Sequence, residues 1–260
     1  MFELPLKLKE ISGLGIDSSG EYLYTVQDEE GILFVLQAKD GKIVQEYLFN
    51  KEGDYEGVEA ANGRIFAVKS NGTLFELLIA GEKLQEVKKH KFSFYKKSDI
   101  EGLGFDAKTN CLLFSAKGKE GKGKEFKSQK GIYSFSLDSM KINENPSYTI
   151  SHESISAFLK TNDSIKKNGT LKKQFKLDEK FIFGPSGIAI HPITRDIYIT
   201  SSIGKVLVIL NREGTIKHLI KLKKKIHEQP EGICFDQNGN LYISNEGKTG
   251  KGKIYKFLPK

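Results

Sequence analysis

The sequence has almost no arginine, although it is strongly basic. Its 41 lysine and arginine residues exceed its 33 acidic residues, and its formal net charge is +8. Three of the 41, namely Arg64, Arg195 and Arg212, are arginines, which leaves 38 lysines. Specific recognition of phosphates and bases favours the planar guanidinium, which can donate two hydrogen bonds at once. The scattered lysines therefore indicate a solvated surface rather than nucleic-acid binding.

The chain also lacks tryptophan, long apolar runs and the pattern of a signal peptide. No apolar run approaches the roughly 20 residues that a bilayer span requires, so we expect no transmembrane segment. The first residues show no basic stretch followed by an apolar core. A length of 260 residues, with 28% charged and 38% hydrophobic residues, predicts a soluble globular protein with a sizeable core.

Cysteine is scarce, and the motifs of several enzyme classes are absent. Cys111 and Cys234 both lie in predicted apolar strands, which favours two buried thiols over a disulfide. The sequence contains no Gly-x-Ser-x-Gly elbow, no P-loop and no His-Glu-x-x-His pattern. The five histidines are dispersed, and we find no candidate pair of nucleophile and base.

What the sequence does contain is a repeated hairpin with a glycine in its first strand. The clearest copy spans residues 230–244, where two short apolar strands flank a turn rich in Asp, Asn and Gly. Five copies carry the same glycine, at Gly13, Gly57, Gly102, Gly187 and Gly232. The intervals between successive glycines are 44, 45, 85 and 45 residues.

This period predicts a β-propeller. Repeats of about 40 to 50 residues with several short strands are typical of propellers that have one four-stranded blade per repeat. Two further apolar runs follow the hairpin, for example at 32–36 and 43–49, and they supply the third and fourth strands. We therefore predict an all-β fold, a five-bladed β-propeller that forms a single domain over residues 1–260.

The two ends of the sequence predict how the ring of blades closes. The last repeat has room for three strands, and residues 2–8 resemble the fourth strands of the other repeats. We expect this N-terminal strand to complete the last blade as its outer strand. Pro5 suits such an edge, where a missing N–H group is tolerated. This closure would leave no open seam between the first and last blades.

The interval of 85 residues between Gly102 and Gly187 predicts an insertion in the third blade. It includes a Gly- and Lys-rich loop at 118–124, a short helix at 151–159 behind capping residues, and a polar hairpin or linker at 166–175. Because 85 is nearly twice the period, a sixth, degenerate blade is the alternative. The interval contains no second copy of the hairpin, which favours five blades.

The residue before each motif glycine is the main candidate for function. The first strands of propeller blades line the central channel, so these residues converge near one of its mouths. They are Ser12, Glu56, Glu101, Ser186 and Glu231. Three carboxylates close together repel one another unless they are protonated or balanced by a cation. Ligation by oxygen alone favours Ca²⁺ over zinc or copper.

Glu59 supports the metal interpretation, because it stands where the other copies carry a small residue and needs a partner if buried. The alternative is that the glutamates cap the ends of strands and are solvated by channel water. The loops after each second strand should surround the same mouth and predict a polar binding rim, although ordinary hydrophilic loops would look the same. The rim candidates are Asp28, Lys117, Ser12, Ser186 and Glu246.

These motifs resemble those of the SdiA-regulated propeller family, a bacterial group distantly similar to NHL-repeat proteins. The matching segments are EISGL at 10–14, YEGVE at 55–59, IEGL at 100–103, PSG at 185–187 and QPEGI at 229–233. The resemblance implies a five-bladed propeller with a calcium site, exported to the periplasm or anchored in the cell envelope. It assigns calcium binding to Glu56, Glu101 and Glu231, with Glu59 next.

Several functions remain open at this point. The resemblance favours a non-enzymatic, monomeric calcium-binding propeller whose channel mouth binds an unknown small molecule or protein outside the cytoplasm. The alternative is a metal-dependent lactonase or esterase similar to gluconolactonase, whose channel metal polarises a carbonyl and activates water. Such a site would combine glutamate with asparagine and aspartate, whereas the five channel positions supply glutamate and serine. A scaffold with a structural metal is the third option.

Overall fold

A computed structural model of the chain describes residues 1–92, 98–118, 127–162, 169–177 and 180–259. The described residues form five antiparallel sheets and two α-helices. The loop predicted at 118–124 lies outside them except for Gly118, as do residues 166–168 of the predicted linker. Neither helix has the length and apolar character needed to cross a membrane.

Three of the five sheets are regular four-stranded blades whose strands pair in chain order. Blade 1 consists of β2 (Ile11–Ile16), β3 (Tyr22–Gln27), β4 (Ile32–Gln37) and β5 (Ile43–Leu48). Blade 2 consists of β6 (Tyr55–Ala61), β7 (Arg64–Lys69), β8 (Thr73–Ala80) and β9 (Lys83–Lys91). Blade 4 consists of β15 (Gly184–Ile190), β16 (Ile197–Ile203), β17 (Val206–Leu210) and β18 (Ile216–Lys221). The prediction of four strands per repeat is confirmed.

Blade 3 has an outer position that two short strands share. Its first three strands are β10 (Ile100–Asp106), β11 (Cys111–Ala116) and β12 (Gln129–Ser136). Both β13 (Lys141–Ile142) and β14 (Tyr148–Ser151) then pair with β12. The sheets number five in the described part of the chain, so the predicted five blades are confirmed and the sixth blade is not.

The insertion between blades 3 and 4 is helical. Helix α1 (His152–Thr161) confirms the predicted helix, and Ser151 caps it by accepting a hydrogen bond from the backbone N–H of Ser154 at 3.0 Å. Helix α2 (Gly169–Gln174) replaces the expected polar hairpin or linker, which is therefore wrong for residues 169–174. The reason is that Leu171 and Phe175 are buried against blade 4, although lysines surround them in the sequence.

The N-terminus closes the ring, as predicted, but with a shorter strand. Blade 5 consists of β19 (Pro230–Phe235), β20 (Leu241–Asn245), β21 (Lys253–Phe257) and β1 (Phe2–Glu3). The expected strand over residues 2–8 ends early, because Pro5 begins a 3₁₀ turn at Leu6–Leu8. Leu4 and Leu8 are buried between blades 5 and 1.

Each pair of neighbouring blades encloses its own hydrophobic cluster, and alternating side chains of one strand serve two clusters. On β7, Ile65 and Ala67 face blade 1, whereas Phe66 and Val68 face blade 3. This follows from the period of two in a strand, which sends successive side chains to opposite faces of a sheet. A blade between two others is therefore apolar on both faces.

The motif glycines are required where the first strands of neighbouring blades touch. A Cβ atom on Gly13 would lie 2.4 Å from the backbone N of Val58 in blade 2, and one on Gly187 would lie 2.3 Å from the backbone O of Glu231 in blade 5. A Cβ atom on Gly232 in blade 5 would lie 2.5 Å from the backbone N of Leu14 in blade 1, so the last blade contacts the first in the same way. The first strands thus surround a common axis.

The two cysteines are free thiols, which agrees with the expectation of no disulfide. Cys234 is buried on the first strand of blade 5, as predicted. Cys111 is partly exposed, so its predicted burial is wrong. Its position explains this, because Cys111 begins β11 next to the turn that follows β10.

Candidate functional site at the channel mouth

Each predicted channel residue lies at a β-bulge. The register between the first and second strands of every blade shifts at these positions, Ser12, Glu56, Glu101, Ser186 and Glu231. In blade 3, Ile100 is opposite Ala116 and Gly102 is opposite Ser115, so Glu101 has no partner across the strands. A bulge of this kind bends the strand and redirects the side chain of the extra residue. We call this end of the channel the glutamate mouth.

The three glutamates of the glutamate mouth interact electrostatically across blades. Burial raises the pKa of Glu56 to about 10, and the nearby carboxylates of Glu101 and Asp54 add to the rise. Burial raises the pKa of Glu231 well above its usual range, with further contributions from Glu101 and Glu246. The carboxyl groups from the three blades therefore lie near enough to raise one another's pKa values, and a nearby cation would oppose this effect.

Lys117 is the internal cation of this mouth. Its Nζ atom lies 2.8 Å from Oε1 of Glu101, which is 4% exposed. Burial would lower the pKa of Lys117, but Glu101 and Glu231 raise it above its usual value, so the ammonium stays charged. Burial raises the pKa of Glu101 to about 7 despite the opposing effect of Lys117. The predicted rim residue Lys117 is thus a direct partner of a channel glutamate.

The two serines of the glutamate mouth connect blades. Ser186 Oγ donates a hydrogen bond to the backbone O of Pro230 at 2.7 Å, which links blade 4 to blade 5. The backbone O of Ser12 accepts a hydrogen bond from Ser244 Oγ at 3.2 Å, which links blade 5 to blade 1. Both serines are buried. Ser186 makes its link through the side-chain hydroxyl group, whereas Ser12 makes its link through the backbone carbonyl.

The rim residues Asp28 and Glu246 form a second acidic pair beside the mouth. Burial raises the pKa of Asp28 to about 6, and the negative charge of Glu10 adds to the rise. Burial raises the pKa of Glu246, and the negative charge of Asp28 adds to the rise. Within the described residues, Asp28 Oδ1 is buried without a hydrogen-bond partner. This oxygen is a candidate acceptor for a ligand or a cation.

Sequence reasoning missed the acidic residues that stand two positions before the channel residues. They are Glu10, Asp54 and Asp99, which act on the carboxylates of Asp28, Glu56 and Glu101 respectively. Each of them stands immediately before the first strand of its blade, and this spacing recurs in three repeats, so the sequence carried a usable signal. The mouth is therefore more acidic than the five motif positions alone indicate.

Glu59 does not join the other glutamates. It lies three residues beyond Glu56 on β6, which corresponds to about 10 Å along a strand. Its carboxylate accepts hydrogen bonds from the backbone N–H groups of Ala60 at 2.8 Å and Phe105 at 3.2 Å. The predicted grouping of Glu59 with Glu56, Glu101 and Glu231 at one mouth is thus not what the structure shows.

The donor chemistry of the glutamate mouth fits a hard cation, although the mouth is not a closed metal cage. In the parts of the chain that the structure describes, no three acidic, histidine or cysteine side chains lie close enough to hold a metal ion. Carboxylate and carbonyl oxygens are the ligands that Ca²⁺ prefers, and this ion tolerates flexible geometry. The ammonium of Lys117 already occupies one side of Glu101. A bound cation would therefore have to displace it or share the site.

Comparison with known proteins places the chain in one family and one fold. The family model described as SdiA-regulated matches residues 4–249. A search of curated proteins finds no match.

Three similar solved structures cover nearly the whole chain at low identity. A luciferin-regenerating enzyme is 11% identical with a TM-score of 0.56, over 97% of this chain and 92% of that chain. A structure of a nidogen/laminin complex is 13% identical with a TM-score of 0.55, over 98% and 81%. The glutaminyl cyclase of Myxococcus xanthus is 11% identical with a TM-score of 0.58, over 98% and 94%. At these identities the likeness extends to the fold alone.

Proposed function

The chain belongs to the SdiA-regulated family, and we propose that it binds Ca²⁺ at the glutamate mouth without catalysing a reaction. The observation that carries this proposal is the convergence of Glu56, Glu101 and Glu231 from three blades. Their pKa values are raised by burial and by neighbouring carboxylates. A divalent cation would remove the repulsion and the cost of burying unbalanced charge.

The side chains of the mouth have separate parts in this proposal. Glu56 and Glu231 would supply carboxylate oxygens after losing their protons. Glu101 would supply a third once Lys117 moves away from it. Because cation binding competes with these protons and with an ammonium, we expect weak affinity, in the range of 10⁻⁴ to 10⁻³ M that is typical of extracellular modules.

Weak calcium binding suits a protein that works outside the cytoplasm. We therefore place the protein in the periplasm or cell envelope, as a monomer whose mouth presents Ca²⁺ and the acidic rim to a small molecule or protein. Asp28 and Glu246 would extend the surface that contacts this ligand. Fractionation of cells that express the full-length protein tests the location, and recovery in the cytosolic fraction would contradict it.

Calcium titration of the purified protein tests the proposed site. We expect Ca²⁺ to raise the melting temperature and to give a binding isotherm by calorimetry after dialysis against a chelator. Glu231→Gln should weaken Ca²⁺ binding at least tenfold, because it removes a buried anionic donor without changing the size of the side chain. Binding should strengthen between pH 6 and pH 8, as the carboxyl groups with raised pKa values lose their protons.

The matched control for this titration is Glu144→Gln, the same substitution at an exposed residue. It should leave Ca²⁺ binding unchanged. Equal affinity in Glu231→Gln and the unaltered protein would rule out the glutamate mouth as the site. Calcium-dependent hydrolysis of a panel of lactones, lost in Glu231→Gln, would replace the non-enzymatic proposal by the lactonase alternative.

A further inference from the structure

A large cavity lies at the opposite end of the channel from the glutamate mouth. Its volume is about 960 Å³, within the usual range for small-molecule sites. Every blade contributes a residue from the end of its first strand, namely Ile16, Ala60, Phe105, Ile190 and Phe235. Because these residues follow the bulges by several positions, the cavity is a separate site on the same axis. We call it the tyrosine cavity, after Tyr22, Tyr24 and Tyr47, which line it.

Glu59 is the buried carboxylate of the tyrosine cavity that projects from the middle of a first strand. Strand pairing places it opposite Phe66, in the same register in which Ala189 is opposite Tyr198. The four equivalent positions carry small residues, Gly15, Gly104, Ala189 and Cys234. The Glu59 side chain therefore projects where the other blades leave room near the axis.

The carboxylate of Glu59 has hydrogen-bond partners but no cation. Its two oxygens accept one backbone N–H each, from Ala60 and Phe105. Among the described residues no lysine, arginine or histidine pairs with it. Glu59 is nevertheless buried, with 8% of its surface exposed. A carboxylate oxygen can accept two hydrogen bonds, so each oxygen has acceptor capacity left. Burial raises the pKa of Glu59 to about 8, although the two backbone N–H groups oppose the rise, so a positively charged partner would favour its ionised form.

The charged groups around the tyrosine cavity leave it electronegative. Asp17, Glu82 and Asp236 line it together with Glu59, and of these Asp236 pairs with Lys256, whose Nζ atom lies 3.8 Å from its Oδ2 atom. The single lining cation in the described residues is Arg64, whose guanidinium pairs with Glu76 at 3.1 Å and Glu86 at 3.3 Å instead. A positively charged ligand is thus favoured over an anion.

The walls of the tyrosine cavity are suited to an organic cation rather than a metal ion. Aromatic rings from three blades line it, from the tyrosines of blade 1 to Phe105 and Phe235. Faces of aromatic rings attract cations, and they also cover apolar groups. A hard metal ion would need six or more oxygen ligands, whereas here two buried carboxylates, Glu59 and Asp236, stand among aromatic and aliphatic side chains.

We propose that the tyrosine cavity is a second binding site, specific for a small primary amine with an apolar body. The ammonium group donates hydrogen bonds to the free acceptor positions of Glu59, and the apolar body contacts the rings of Tyr24, Tyr47 and Phe235. This inference does not depend on calcium binding at the glutamate mouth, since the two sites share no residue.

Calorimetric titration of the full chain with phenethylamine, and with 2-phenylethanol as the uncharged probe, tests the proposal. We expect phenethylamine to bind at least tenfold more tightly than 2-phenylethanol, because the alcohol lacks the charge that Glu59 balances. Glu59→Gln should weaken phenethylamine binding at least tenfold. Glu231→Gln, at the glutamate mouth, should leave it unchanged.

A second variant keeps the test decisive if Glu59→Gln does not fold. Gln237→Trp places a large ring at the exposed edge of the cavity, where it should obstruct entry without disturbing the core. We expect it to weaken phenethylamine binding at least tenfold. The proposal is wrong if phenethylamine does not bind, if it binds no better than 2-phenylethanol, or if neither folded variant weakens its binding.

Discussion

At the scale of single residues, the ion pair between Lys117 and Glu101 decides the charge of the glutamate mouth. Glu101 has a pKa that burial raises from about 4.5 to about 7 in the folded chain. A carboxyl group with a raised folded pKa stabilises the fold below its unfolded pKa, and this stability is lost as pH rises through the folded value. Glu101 thus makes folding less favourable between about pH 4.5 and pH 7, and Lys117 limits the loss.

Replacing Lys117 by methionine should therefore destabilise the protein in a manner that depends on pH. At pH 8 the buried Glu101 carboxylate would lose its cation, and we expect a loss of about 1–3 kcal/mol in the free energy of unfolding. At pH 5 Glu101 is largely protonated, so the loss should be smaller. Urea unfolding at the two pH values in the presence of a chelator measures both.

Lys108→Met is the control for this prediction, because Lys108 is exposed at the turn after β10. It should change stability by less than about 0.5 kcal/mol at either pH. Added Ca²⁺ should stabilise Lys117→Met more than the unaltered protein, since the competing ammonium is gone. An equal loss at pH 5 and pH 8 in Lys117→Met would show that packing, not charge, explains the effect.

At the scale of elements, the first strand of each blade combines a close contact with a bulge. The contact requires a glycine, and the bulge directs the preceding residue to the axis. This combination explains why all five repeats carry the glycine while the residue before it varies between serine and glutamate. Packing between first strands requires the glycine, whereas the residue before it is free to vary and lies at the glutamate mouth.

Gly13→Ala tests the close contact between first strands. The new methyl group would lie 2.4 Å from the backbone N of Val58 and 2.6 Å from Cα of Gly57, and backbone atoms cannot move aside as a flexible side chain does. We expect the free energy of unfolding, measured with urea, to fall by about 1–3 kcal/mol. Gly250→Ala, with no atom within 4 Å of the added methyl group, should cost far less. Similar losses in the two variants would contradict this account.

The elements also show how far the sequence could be used for prediction. The glycine period and the capping residues of α1 are local signals, and they predicted the blades and the first helix. Helix α2 was missed, because its burial depends on contacts of Leu171 and Phe175 with a distant blade. The early end of β1 at Glu3 was missed because an edge strand and a 3₁₀ turn both tolerate a proline such as Pro5.

At the scale of the whole molecule, the channel has two ends that the sequence does not separate. Glu59 was assigned to the same calcium site as Glu56 because it replaces a small residue of the other repeats and matches the pattern of the family. The direction of β6 carries Glu59 to the tyrosine cavity, where Phe105 of blade 3 donates to it. The pairing of Lys117 with Glu101 was equally hidden, since it depends on where β11 ends relative to the bulge in β10.

Because the ring of blades is closed, we expect a destabilising substitution between blades 5 and 1 to lower the stability of all five blades together. Leu8 is fully buried between blades 5 and 1, whereas Leu6 in the same 3₁₀ turn is 70% exposed. Leu8→Ala should reduce the free energy of unfolding by about 2–5 kcal/mol, and Leu6→Ala by less than about 0.5 kcal/mol. Because every blade packs on two others, Leu8→Ala should still unfold in one transition, with coincident curves from tyrosine fluorescence and far-ultraviolet circular dichroism. Two separate transitions would show instead that blade 5 opens without the rest, and that the N-terminal strand closes one blade rather than the ring.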